Sequence, residues 1–267
     1  MPDAAEPGLR GRLSGQPGWE IRWLAETDST NRVVLELARA GEREGIVVVA
    51  DHQSAGRGRL GRTWQAPSGA SLLVTVLLRP TIGVVDAHLV TIAAALAAAD
   101  ACHSVAGVRP ALKWPNDLVI ESDSGTRKVA GLLAESIVTG AHIDAVAMGM
   151  GLNVQWPTEL PDDLAEIATA LNHEAGRDVS RDDLLMAWLA GLRDRYDRLV
   201  GPGGTEALLA AYRVACATLG RPVRVELANE TLLGIATDVT REGHLVLDVD
   251  GVRRVITAGD VIHLRPR

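Results

Sequence analysis

Asp51-His52-Gln53-Ser54-Ala55-Gly56-Arg57-Gly58-Arg59-Leu60-Gly61-Arg62-Thr63-Trp64 follows an apolar run at residues 45–50, GIVVVA, that reads as a buried strand. Arg57, Arg59 and Arg62 alternate with Gly56, Gly58 and Gly61, and Gln53 precedes them. Guanidinium donors therefore alternate with positions that permit close backbone approach. A loop of this kind leaving a strand can surround a phosphate or carboxylate with N–H groups. The competing reading is a solvated basic turn, but three arginines spaced by glycines make a costly ordinary turn.

The basic character is local. The chain has 267 residues, 47% hydrophobic, with net charge −7 and pI near 5.5. That is enough chain for one large domain and a small one, and the charge argues against a nonspecific nucleic-acid binder. Two cysteines, Cys102 and Cys216, give neither a disulfide framework nor a metal cluster. No metal-ligating residues are assigned. No membrane span is expected, because the apolar stretch at residues 92–99 is soon broken by Asp100 and His103. Without a basic-then-apolar export pattern at the start, the cytoplasm is the expected location.

Upstream of the loop, residues 1–18 are Pro/Gly-rich and read as a flexible N-terminal arm. A strand is predicted over residues 19–24 and a helix over 32–39, with Asp28, Ser29 or Thr30 as its cap. Ser29 and Thr30 either only cap, or also hold a polar ligand at the positive end of the helix.

Downstream, a buried strand is predicted over residues 70–80, and a long Ala/Leu-rich helix over 85–102 that backs a sheet. Next, Lys113-Trp114-Pro115-Asn116-Asp117 places a cation, an amide and a carboxylate together between two apolar edges. A hairpin arm follows over residues 126–135. Its two-residue period puts Lys128 on one face with Ala130 and Leu132, where a lysine is awkward unless it reaches a ligand or carboxylate; a hairpin lysine turned to water is the other reading. The strand at residues 146–154 carries Gly149 and Gly151, suited to the approach of a flat ligand or another backbone, and ends at Asn153.

Helices are predicted over residues 164–170, 184–199 and 205–215, the second opened by Ser180 and Asp183 at capping-box spacing. From Gly220 the pattern changes to short alternating runs separated by turns, which suggests a small all-β barrel or meander. The expected domains are residues 19–217 and 218–267.

Anion-binding groups thus accumulate at strand ends: the arginine loop, Lys113 with Asn116 and Asp117, and Arg127 with Lys128. No Walker-type loop, dinucleotide fingerprint, serine triad or paired His or Cys motif is present, so electrostatic stabilisation of a transferred phosphate is the favoured chemistry.

Five blocks closely resemble those of the biotin–protein ligases: ETDSTN at residues 26–31, DHQSAGRGRLGRTW at 51–64, KWPND at 113–117, RKVAGLLAE at 127–135 and GMGLNV at 149–154. They cover residues 19–155 in order. The resemblance weakens toward the C-terminus, where Gly259-Asp260-Val261 is similar to the family's closing strand. It implies an α+β fold, a mixed β-sheet backed by helices of the class II aminoacyl-tRNA synthetase-like type, with a small C-terminal Src-homology-3-like barrel.

The implied reaction has two steps. Biotin and ATP, with Mg2+, give biotinyl-5′-AMP and pyrophosphate; a lysine of the biotin carboxyl carrier domain of an acyl-CoA carboxylase then takes the biotin and releases AMP. The resemblance assigns Ser29, Thr30, Asn31 and Gln53 to the biotin site, and Gly56, Arg57, Gly58, Arg59 and Arg62 to a loop that closes over the adenylate. Within that loop Arg57 faces biotin and Arg59 a phosphate. Trp64 is placed near adenine, Asn116 near ATP and magnesium, and Asn153 on the nucleotide. Lys128 lies between the biotin carboxylate and the α-phosphate. Lys113, Gly131, Gly149 and Gly151 complete the set, and Asp117 is the candidate acceptor for the incoming amine's proton.

With so little chain before the first strand, the resemblance is to the short type lacking a DNA-binding module. The expectation is a monomer that binds neither DNA nor membrane, a weak dimer being left open. The rivals are a lipoate–protein ligase or octanoyl transferase on a similar architecture, and a nonenzymatic small-ligand sensor.

Overall fold

The computed structural model describes residues 18–122, 125–157, 162–199, 201–227 and 229–264, without the side chains of 162 and 163. The expected arm at residues 1–17 lies outside the described residues.

Seven strands form one sheet in the order β1-β2-β3-β7-β6-β5-β4: β1 (Glu20–Thr27), β2 (Ile46–Gln53), β3 (Ser71–Leu78), β4 (Ala111–Lys113), β5 (Asp117–Ser122), β6 (Gly125–Thr139) and β7 (His142–Asn153). The first pair is parallel, crossing over through helix α1 (Thr30–Arg39), and the other neighbours are antiparallel.

The two faces are covered differently. One is closed by α2 (His88–Ala106), an Ala-rich helix buried nearly all round, and by α5 (Arg181–Leu199). The segment Val84–Ala106 reaches the length and hydropathy of a membrane span, 1.6, contrary to the expectation from its charged tail. It is largely buried and serves as the core helix, Trp188 of α5 donating its indole N–H to the Ala94 carbonyl. On the other face, α1 packs Val34, Leu35 and Ala38 onto Ile46, Val48, Leu77, Ala145 and Ala147. It covers only that part of the sheet, and the strip beyond it, with Gly131, Gly149 and Gly151, floors a cleft.

The single helix expected over residues 164–170 is instead two short ones, α3 (Asp162–Ala165) and α4 (Leu171–Ala175). Between them Ala168 pairs in parallel with Lys128 of β6, so a sheet-edge interaction replaces the helical bonds. Ser180 caps α5, its hydroxyl accepting the Asp183 N–H at 3.1 Å. Helix α6 (Gly204–Ala215) follows.

The C-terminal strands are β8 (Pro222–Glu226), β9 (Thr231–Val239), β10 (Leu245–Val249), β11 (Val252–Ile256) and β12 (Asp260–His263), ordered β11-β10-β9-β8-β12. The edge strands β11 and β12 do not pair, so the expected Src-homology-3-like barrel is corrected to an open five-stranded antiparallel sheet. Alternation alone cannot distinguish the two, since both bury one face. Here Val223, Val225, Ala236, Leu245, Leu247 and Val261 join the same core as α2 and the large sheet. The apolar face is thus covered by the rest of the protein rather than by closure on itself.

Candidate functional site

The cleft, about 390 Å³, falls in the usual range for small-ligand sites. Its floor needs glycine. Gly131 and Gly151 stand opposite each other on β6 and β7, and Gly149 pairs with Thr75 of β3. A Cβ at Gly151 would come within 2.6 Å of the Trp64 ring and one at Gly131 within 3.2 Å, while at Gly149 it would overlap the Asn31 carbonyl oxygen. The indole therefore lies flat on two backbones.

Lys128 reaches this face through a register shift. Leu118 of β5 pairs with Ala130 but Val119 pairs with Lys128, which leaves Val129 as an extra residue in β6. Val129, Ala130 and Leu132 all enter the core, and the shift turns Lys128 to the cleft. The expectation that Lys128 shares the face of Ala130 and Leu132 is thereby corrected. Its Nζ lies 2.6 Å from Asp117 Oδ1 and 5.4 Å from the Trp64 ring centre. The strand-like pairing with Ala168 fixes the Lys128 backbone from the other side: its N–H donates to Ile167 O and its carbonyl accepts from the Thr169 N–H.

One end of the cleft is lined by uncharged polar groups. Ser29 occupies the N-cap position of α1, yet its hydroxyl makes no capping bond. Gln53 of β2 does the capping instead, its Oε1 accepting the Thr30 N–H at 2.8 Å, with Thr30 Oγ1 at 3.0 Å. Asn31 donates to the Leu133 carbonyl and, at 2.8 Å, to Glu135, whose same oxygen receives Arg57 at 3.0 Å. Glu135 thus ties the arginine loop to the neutral pocket.

The other end is strongly charged. Arg59 donates to Asn116 Oδ1 at 3.4 Å, and Asn116 is itself anchored on the Leu132 carbonyl. Arg62 pairs with Asp260 of the C-terminal sheet. Burial depresses the Arg59 guanidinium, with Asp117 opposing and Arg62 adding to the shift. Burial likewise lowers Lys113; Asp117 opposes this, and Lys128 and Arg62 deepen it. Arg59 and Lys113 are thus held partly out of water with Asp117 as their opposing charge, an arrangement that favours an added anion.

Ser29, Thr30, Asn31, Gln53, Arg57, Gly58, Arg59, Arg62, Trp64, Lys113, Asn116, Asp117, Lys128, Gly131, Gly149 and Gly151 all line this one cleft. Two expected residues do not. Gly56 lies behind the loop, where a Cβ would strike the Trp64 carbonyl at 2.5 Å. Asn153 is buried beneath the wall, donating to Thr169 O and accepting from Ser71. Conversely, Glu226, Asp260, Val261 and Ile262 line the cleft from the C-terminal sheet and were not expected there. Only Gly259-Asp260-Val261 gave a signal, and nothing in its local sequence placed it beside residue 62. Glu135 sat unassigned at the end of a quoted block.

Fold and site together define a class. Residues 23–153 match the Biotin/lipoate A/B protein ligase family and residues 218–264 the Biotin protein ligase C terminal domain. The biotin–[acetyl-CoA-carboxylase] ligase of Mycobacterium tuberculosis is 36% identical over 99% of this chain and 97% of its own length. That of Paracoccus denitrificans is 34% identical over 89% and 98%. The structure of the Aquifex aeolicus biotin protein ligase in complex with biotin and ATP superposes with TM-score 0.76 and 25% identity, covering 92% of this chain and 99% of that one. The chain belongs to the biotin protein ligase family.

Proposed function

We propose that this chain is an ATP-dependent biotin ligase working through biotinyl-5′-AMP, with the neutral end of the cleft holding biotin and the charged end the nucleotide. The observation that carries the division of labour is Lys128, turned by the β6 bulge to the junction of the two ends and held there against Asp117.

Ser29, Thr30, Asn31 and Gln53 hydrogen-bond the biotin head group, and its chain runs toward Lys128. Trp64, flat on its glycine floor, packs against adenine. Lys128 brings the biotin carboxylate and the α-phosphate together, two anions that otherwise repel. The carboxylate oxygen attacks the α-phosphorus as the bond to the β-phosphate breaks, and pyrophosphate leaves. Lys128 and Arg59 gain as charge develops on the phosphoryl oxygens. The carrier's amine then attacks the acyl carbon, AMP departs, and Asp117 accepts the amine's proton.

Among the described residues no three His, Cys, Asp or Glu side chains gather as an ion site. Magnesium would enter with the nucleotide, Asn116 being the cleft residue placed to help hold it, and would supply further charge neutralisation. The protein substrate is the carrier domain of an acyl-CoA carboxylase, the enzyme acts as a monomer, and the reaction belongs in the cytoplasm.

Incubation with labelled biotin, ATP, magnesium and an active carrier domain tests this reading. Covalent label on the carrier lysine is expected, and absence of label defeats the function. Labelling by lipoate in place of biotin would shift it to the other branch of the family.

A further inference from the structure

Thr75 is a fully buried hydroxyl in the middle of β3, whose sequence SLLVTVLL is otherwise almost wholly apolar. It does not line the cleft, but its oxygen touches two residues that do. Thr75 Oγ1 lies 2.8 Å from Thr30 Oγ1 and 2.7 Å from Asn31 Oδ1, and Thr30 Oγ1 in turn lies 3.0 Å from Gln53 Oε1.

These three contacts join four oxygens, and the outer two can only accept. Asn31 is oriented by its amide donating to Leu133 O and Glu135, and Gln53 by its oxygen receiving the Thr30 N–H. Each hydroxyl carries one proton, so two protons serve three contacts and one contact must go without. The two shorter contacts are both satisfied if Thr75 donates to Asn31 and Thr30 donates to Thr75. The longest contact, between Thr30 and Gln53, is then the one lacking a proton, and Gln53 Oε1 keeps the Thr30 N–H.

We infer that Thr75 is a positioning residue that turns the Thr30 hydroxyl proton inward, so that Thr30 and Gln53 present lone pairs to the cleft and select a ligand head group bearing N–H donors. The inference rests on the proposed biotin-binding reading, in which the ureido N–H groups are those donors. Without the Thr75 hydroxyl, Thr30 gives its proton to Gln53 and uses up an acceptor that the ligand needs.

The test compares wild type with Thr75→Val, which keeps the shape and removes the hydroxyl, and Thr75→Ser, which restores it. In carrier labelling, Thr75→Val is expected to raise the biotin KM about tenfold, the size of one misdirected buried hydrogen bond. Its kcat and ATP KM should stay within about twofold of wild type, and Thr75→Ser should return the biotin KM to about the wild-type value. Should Thr75→Val fail to fold, Thr75→Ala is read in its place. Biotin KM unchanged in the folded variant, kcat and ATP KM moving along with it, or Thr75→Ser behaving like Val each overturn the assignment. Wild type that neither binds nor transfers biotin defeats the function itself, and this assignment with it; an indifferent Thr75→Val beside an active wild type defeats this assignment alone.

Discussion

Replacing Gly151 with alanine puts a methyl group under the Trp64 indole, and the size of the disturbance follows from the coordinates. The new carbon would stand 2.6 Å from the ring, so the indole must retreat by roughly 1 Å to regain an ordinary carbon–carbon separation of about 3.5–4.0 Å. β7 cannot give way, because its neighbours β3 and β6 hold it on both sides. In the proposed scheme the indole carries the adenine surface, and it lies beside Lys128, so the shift would move nucleotide and lysine relative to each other. Misplacement on this scale costs about 10²-fold in rate. Single-turnover formation of biotinyl-5′-AMP, followed with labelled ATP, should fall by about 10² in kcat/KM for ATP, with biotin affinity within about threefold of wild type. A Gly151→Ala enzyme with kcat/KM for ATP near wild type would refute the glycine-floor argument. Loss of biotin affinity in equal measure would refute the assignment of that end of the cleft to the nucleotide.

Lys128→Ala should lower adenylate formation by about 10²–10³ while leaving the midpoint of thermal unfolding close to wild type, checked by single turnover and calorimetry. Asp117→Asn should slow biotin transfer from pre-made adenylate to the carrier, and an unchanged transfer rate would remove its role as proton acceptor. Glu135→Gln weakens the tie between Arg57 and Asn31 and should raise the biotin KM by about three- to tenfold with little change in kcat, read in the same labelling assay. His263 is pushed down to about 4, first by burial and then by Lys113 and Arg221, while its ring accepts from or donates to Thr218. Its folded value lies below the unfolded one, so the unfolded chain binds the extra proton, and stability should drop as pH falls from about 6.5 toward 4. Thermal unfolding of His263→Gln across that window should show a shallower loss than wild type.

Much of the sheet was legible because burial leaves its mark on a strand's composition. β2 opens on an aliphatic run and β3 is mostly aliphatic, and the glycines of β7 were visible as such. The site was legible where chemistry is concentrated in short blocks: sixteen expected residues meet in one cleft. What escaped depended on partners far away in the chain. A register shift between Leu118 and Val119 on β5 decides where Lys128 points, and no periodicity in residues 126–135 records it. Alternating C-terminal runs fit a closed barrel or an open sheet equally well, and the choice lies in what covers the apolar face. Asp260 became a cleft residue only through docking of that sheet beside Arg62.

The wall contributed by Glu226, Asp260, Val261 and Ile262 also has a consequence for the chain during its synthesis. Every residue that reads biotin in the proposed scheme, from Ser29 to Lys128, emerges from the ribosome long before β12 does. Until then the nucleotide end of the cleft lacks one of its walls. The cleft is whole only once β12 has been translated and docked beside Arg62, so in the proposed scheme the nucleotide end is assembled after the biotin end.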